Sequence, residues 1–282
     1  MFTNTHFNAV GEVSVPFSAM QDAQHENVFL FDANVLFDAN NREMNHSFAG
    51  YLADFAEQRS CYLLSNMNYA ETVSRIPTRL RRQLAGVFAS AGTEFWRGNE
   101  VLVRHEHAFS DEVYEYVARM VLHSAYPQKK APLIDSGSAS LRICLAGTRI
   151  GRTAKQTYLA WENEHRELEA LMASFARRFP DHAICKDTEI SLLITPNSFS
   201  TAEVQNQLLR RHKSARVIAY LGNMTAGGYA KPMCDALLRE NVLSTVAGPS
   251  DISQLLSYEK RAMKDFKPKA AAPTRLFQGA WQ

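Results

Sequence analysis

Apolar residues along this chain fall into short runs and helical stripes that alternate. Val28–Phe31 is a run of four apolar residues that ends at Asp32, and Cys61–Leu64 is a second that ends at Ser65. Runs this short, closed by polar turns, predict strands buried on both faces of a parallel sheet. Between them Phe48, Tyr51, Leu52 and Phe55 recur at helical spacing. The order β-α-β therefore predicts a right-handed parallel crossover. From Gly86 to Leu102 the pattern predicts two strands around a turn at Arg97-Gly98-Asn99, a hairpin. Arg216–Leu221 predicts another buried strand, and Val242 onwards a last strand, turn and helix. Open sheets of this class carry their chemistry at the carboxyl ends of the strands. Asp32, Ser65 and the segment after Leu221 are thus the first places to look.

The stretch from His105 to Asn197 has a different texture. Asp111–Ala125 is one amphipathic stripe, and Glu162–Phe179, closed by Pro180, is a second. SASLRICLA, HAICK and EISLLIT are short alternating runs, which predict antiparallel strands. Two helices and about four strands predict a compact α+β unit inserted between two halves of the α/β core. The expected division is an arm over 1–26, a core over 27–104 and 198–262, a cap over 105–197 and a tail over 263–282. Ser200 with Glu203 predicts a capped helix start, and a helix is expected over Pro232–Glu240.

Composition narrows the classes. With 31 Lys and Arg against 29 Asp and Glu, the net charge of +2 supplies no strong field for nucleic acid or an anionic membrane. Met1–Glu26 has no apolar core of a signal peptide, and no run reaches the roughly 20 apolar residues of a membrane span. The four cysteines, at 61, 144, 185 and 234, form no CxxC pair, which favours a reduced compartment and a cytoplasmic location.

The motifs converge on one resemblance. Asp32-Ala33-Asn34-Val35-Leu36, after an apolar strand, resembles the first motif of the haloacid dehalogenase (HAD) superfamily, Asp-x-Asp-Gly-Thr. Ser65 matches that family's second-motif hydroxyl. Ser90 and Ala91 stand where the members with large α/β caps carry Glu and Asn. Gly222-Asn223-Met224-Thr225-Ala226-Gly227-Gly228 resembles the late Gly-Asp-x-Thr-x-Gly-Gly motif. The inserted unit is most similar to the cap of eukaryotic-type phosphomannomutases, with Arg142, Arg152 and Ser191 matching phosphate-contacting positions. The resemblance implies a Rossmann-like core, Asp32 as nucleophile, Arg142, Arg152 and Ser191 on substrate, and Mg²⁺ between Asp32 and position 223.

Three departures cut against turnover. Asn34 is an amide where the family has its proton-moving acid, and an amide exchanges no proton near pH 7. Asn223 replaces a metal-binding carboxylate. No lysine stands near Thr201–Glu203, which leaves Lys213 or Lys231 as the only neighbours for that role. The leading expectation is a degenerate, catalytically inactive member, with no cofactor, that binds protein partners or a second copy of itself. Leu276, Phe277 and Trp281 in the tail are the expected anchors. The alternative is an Mg²⁺-dependent sugar-phosphate phosphatase or phosphomutase built on Asp32.

Overall fold

The computed structural model describes residues 27–37, 44–213, 215–221, 228–237 and 242–245, with isolated positions between 252 and 257. Strand β1 (Asn27–Asp32) runs into a single helical turn, α1 (Ala33–Leu36), and then α2 (His46–Ala56). Asn45 caps α2 by accepting the Ser47 and Phe48 N–H groups. β2 (Ser60–Leu64), α3 (Tyr69–Ser74), α4 (Thr78–Gln83) and β3 (Gly86–Ala89) follow. The chain then makes the hairpin β4 (Glu94–Arg97) and β5 (Glu100–Arg104), turning at Gly98 with φ 57°. That conformation is open to glycine without cost.

The inserted stretch comprises α5 (Asp111–His123), β6 (Ile134–Ser136), β7 (Leu141–Ile143), α6 (Arg152–His165), α7 (Glu167–Arg178), β8 (His182–Thr188) and β9 (Ser191–Pro196). After it come α8 (Ala202–Arg211), β10 (Arg216–Leu221), α9 (Lys231–Leu237) and β11 (Val242–Thr245).

Two sheets result. The first has seven strands in the order β11-β10-β1-β2-β3-β4-β5, parallel as far as β3 and antiparallel through the hairpin. β1 lies inside it, between β10 and β2, and its side chains from Val28 to Asp32 are all buried. Phe29 and Phe31 enter one apolar cluster with Phe55, Leu63 and Ile218. Val28 and Leu30 enter the opposite one with Tyr62, Phe88 and Leu208. A central strand with both faces covered needs an unbroken apolar run, which is what Val28–Phe31 supplies. The mixed α/β class with a parallel central sheet agrees with the expectation.

The second sheet is antiparallel, β6-β7-β9-β8. One face packs on α5, α6 and α7 through Val117, Tyr158, Phe175, Leu141, Ile143, Leu192 and Ile194. Its other face turns to the first sheet, where Leu193 and Cys185 join the cluster around Tyr62 and Phe88.

Three expectations are corrected. Three helices, not two, back the second sheet among the described residues. The expected helix through Glu162–Phe179 is split at Arg166, left-handed at φ 49°, and Arg152–His165 is helical in its own right. α6 buries fully only Tyr158 and Glu162, so its apolar stripe is faint in the sequence. The N-cap of α8 is Thr201; the Ser200 hydroxyl accepts from Ala202 N–H and the Ser200 carbonyl from Glu203 N–H. α9 begins at Lys231.

Candidate active site

Strands β1, β2 and β3 are parallel, so their carboxyl ends lie side by side under the cap. Asp32 closes β1 and is buried; one carboxylate oxygen accepts the Asn34 N–H at 2.9 Å, capping α1. Asn34 itself is exposed. Ser65, after β2, is fully buried, and its hydroxyl accepts Met67 N–H at 3.1 Å and Thr72 O–H at 2.8 Å. That pattern closes the turn onto α3.

After β3 the backbone takes three consecutive left-handed conformations, Ser90 at φ 51°, Ala91 at φ 61° and Gly92 at φ 91°. Each of the two with side chains costs on the order of 1–3 kcal/mol. The turn is held by Ser90 N–H on Met67 O and Ala91 N–H on Ser65 O. The Ser90 hydroxyl is buried without a hydrogen-bond partner. Gly137 of the cap lies against it. A Cβ there would meet Ser140 Oγ at 2.5 Å and Ser90 Oγ at 3.2 Å, so glycine lets the cap come down this far.

The cap closes the site from above by strand alternation. Leu141 and Ile143 face the cap helices, so Arg142 faces the core. Leu192 and Ile194 face the helices, so Ser191 and Leu193 face the core. The register places Asp135, Arg142, Leu193 and Cys185 in one row across the sheet. β8 is bulged between Lys186 and Thr188, and Asp187, two residues after the core-facing Cys185, is buried on that same side.

A buried polar cluster then spans the two sheets. Asn66 Nδ2 donates to Asp187 Oδ1 at 2.6 Å, and Ser191 Oγ donates to Asp187 Oδ2 at 3.1 Å. Arg142 pairs with Asp135 and reaches Glu71 of α3 at 3.4 Å. Glu71 also pairs with Arg75. Burial pushes the Asp187 carboxyl up, against the pull of Arg142, Asn66 and Ser191. Burial opposes the charge of Arg142, but Asp187, Asp135 and Glu71 overcome it and hold the guanidinium more firmly protonated.

Of the residues singled out in the sequence, Arg142 and Ser191 thus meet beneath the cap. Arg152 opens α6 exposed to solvent and makes no ion pair with this cluster among the described residues. Lys213 is exposed, and Lys231 pairs with Asp235 at 2.6 Å. Asn223, Leu276, Phe277 and Trp281 lie outside the described residues, as do the 1–26 arm and the 263–282 tail. Sequence reasoning passed over Asn66, Glu71, Asp135 and Asp187. One signal was available for Asp187: it shares the parity of Cys185 along β8, which is the core-facing side.

Divalent magnesium prefers several hard anionic oxygens. Among the described motif positions Asp32 is a lone carboxylate, and no group of three His, Cys, Asp or Glu side chains converges among the described residues.

No protein-family model matches the chain, and no curated protein matches it in sequence. Solved structures do match in shape. The C-terminal domain of C. albicans trehalose-6-phosphate phosphatase superposes with a TM-score of 0.60 at 11% identity, covering 83% of this chain and 91% of that one. The fold is one shared with structures described as haloacid dehalogenase-like. IMP-bound Plasmodium falciparum IMP-nucleotidase, truncated at its N-terminus, gives 0.57 at 10% identity over 85% of this chain and 69% of that one. A HAD subclass IIB sugar phosphatase gives 0.52 at 12% identity over 84% and 99%. At these identities the likeness is one of fold, and within that HAD fold Asp32 stands at the end of the central strand. No described helix is long and apolar enough to cross a membrane.

Proposed function

We propose that this chain is a catalytically inactive HAD-fold protein, phosphomannomutase-like in its cap motifs, that acts as a protein-binding module. The observation that carries this reading is the state of the cleft. Phosphoryl transfer needs unspent positive charge for the phosphate. Here Arg75 and Arg142 are matched against three carboxylates, Glu71, Asp135 and Asp187. Asp187 takes the donors Asn66 and Ser191 that an anion would use. A phosphate entering this cleft finds both guanidiniums already engaged by carboxyl groups of the protein. Asn34 adds the loss of the proton-moving acid, a contribution typically worth 10²–10⁴-fold.

The runner-up, an Mg²⁺-dependent sugar-phosphate phosphatase or phosphomutase, is favoured by the place of Asp32 at the end of β1 and by the enzymatic nature of the fold neighbours. One experiment separates the two. Hexose phosphates, trehalose 6-phosphate and IMP are incubated with Mg²⁺ and either wild type or Asp32→Asn. The expected result is phosphate release at the uncatalysed rate from both. Turnover by wild type that Asp32→Asn abolishes establishes the runner-up.

The binding half of the proposal rests on the ends of the chain. Pro268, Pro273 and the lysines between 264 and 269 lead to Leu276, Phe277 and Trp281. Large apolar side chains beyond a polar, Pro-rich linker suit interface anchors. Deleting 264–282 is expected to leave the thermal midpoint unchanged and to weaken self-association or partner capture in sedimentation and pull-down. A fall in stability of several kcal/mol would instead make the tail part of the fold.

A further inference from the structure

Two passages of chain join the cap to the core: residues 105–110, from β5 to α5, and residues 197–201, from β9 to α8. Aromatic and imidazole rings collect where they pass. His105 packs edge-on against Phe199, one ring from each passage, with centres 5.1 Å apart. Two residues on, His107 Nε2 meets Nε2 of His182, the first residue of β8, at 3.3 Å. Phe109 stacks on His182 at 5.5 Å, with Phe175 and Phe179 edge-on beyond. Backbone bonds close the same corner. His107 N–H donates to Ser138 O, and Asn197 N–H donates to Asp181 O.

Two ring nitrogens in contact share one proton: one ring donates and the other accepts. Nδ1 of His182 is buried with no hydrogen-bond partner. An orphaned N–H in that nest costs more than a bare lone pair, so His182 carries its proton on Nε2 and donates to His107. A second proton has no good place. On His182 it becomes a buried, unsatisfied Nδ1–H among phenyl rings; on His107 it sets two N–H groups against each other. The titratable groups nearby are Asp181, preceding His182 on the α7–β8 turn, and His105 and Glu106 on the first passage. α7 and the segment before α5 present only Phe109, Phe175 and Phe179, and the β6–β7 turn presents the Ser138 carbonyl.

We propose that the His107–His182 pair is an acid-sensitive latch at the root of the cap, closed while both rings are neutral and broken by a second proton, which frees the cap to move on the core. Burial, and then His107, hold His182 below the ordinary imidazole range, against the opposing pull of Asp181. For a base whose folded pKa is depressed, the unfolded or opened form binds more protons. The latch is therefore intact above about pH 6.5 and is lost as the pH falls below it. This holds whether or not the cleft turns over a substrate.

The test is hydrogen exchange by mass spectrometry on the full chain at pH 7.5 and 5.5, corrected for intrinsic rates, on peptides covering 105–110 and 180–199. In wild type, opening at pH 5.5 is expected to rise by at least about fivefold, a single proton on a group of ordinary pKa about 6.5 capping the response at about tenfold between these two pH values. His182→Phe, which fills the aromatic nest without a titrating group, is expected to cut the response below twofold. Asp187→Asn, at the other core–cap contact, is expected to keep it. His107→Gln, whose amide oxygen can accept from His182, serves if His182→Phe fails to fold, with the response again reduced. Equal protection at both pH values in wild type, or a full response in His182→Phe or His107→Gln, overturns the latch.

Discussion

Arg142→Met is expected to destabilise the protein by about 3–5 kcal/mol, the usual cost of removing one partner from a buried ionic cluster. The side chain is 12% exposed and is the shared cation of Asp135, Glu71 and Asp187. Methionine keeps the length and leaves three carboxylates without it. An arginine held ready for a substrate phosphate would behave in the opposite way, since removing an unsatisfied charge from a cleft is neutral or stabilising. The pH dependence gives a second check. Asp187 already has a folded pKa above its ordinary 3.8. The native state therefore binds more protons in the window between those values, and stability is lost as the pH rises through it. Without Arg142 that window widens upward, so the deficit of the variant relative to wild type is expected to shrink between pH 7.5 and pH 5. Urea denaturation at the two pH values measures both effects, and comparison with wild type cancels the latch titration. A deficit below about 1 kcal/mol at pH 7.5 would mean that Arg142 is free of the cluster.

Phe29→Ala is expected to cost about 3–5 kcal/mol, as truncation of a buried aromatic does. Phe29 is fully buried on the strand that carries Asp32, with its ring edge-on to Phe55 at 4.8 Å and Arg59 above Phe55. β10 and β2 hydrogen-bond to β1 on either side, so the strand cannot slide to fill the void. At roughly 2–4 °C per kcal/mol for a chain of this size, the thermal midpoint is expected to fall by on the order of 10 °C. A shift of only one or two degrees would place β1 at an edge of the core rather than inside it.

The central sheet was legible because its strands are buried on both faces. Val28–Phe31, Cys61–Leu64 and Val217–Ala219 carry no charged side chain and read as short apolar runs. The hairpin was legible because a two-residue turn at Gly98 needs a positive φ. α6 and α7 were not separable, because the break falls at Arg166, a residue with no turn propensity held left-handed by its neighbours. The capping serine of α8 was misassigned by one residue, within the distance over which several side chains can serve a helix start.

By itself the sequence determined the α/β class and the position of Asp32 at a strand end, because these depend on local pattern. Only the tertiary structure decided what Arg142 and Ser191 do. Arg142 has Asp135 close by in sequence but also reaches Glu71, 71 residues away, and the Asp187 that accepts from Ser191 also accepts from Asn66, 121 residues away. Nothing in a local pattern marks Asp187 as the buried acceptor of Asn66 and Ser191. That role arises when β-sheet parity and the close approach at Gly137 bring the two sheets together and a buried charge must find its counter-charge within the protein.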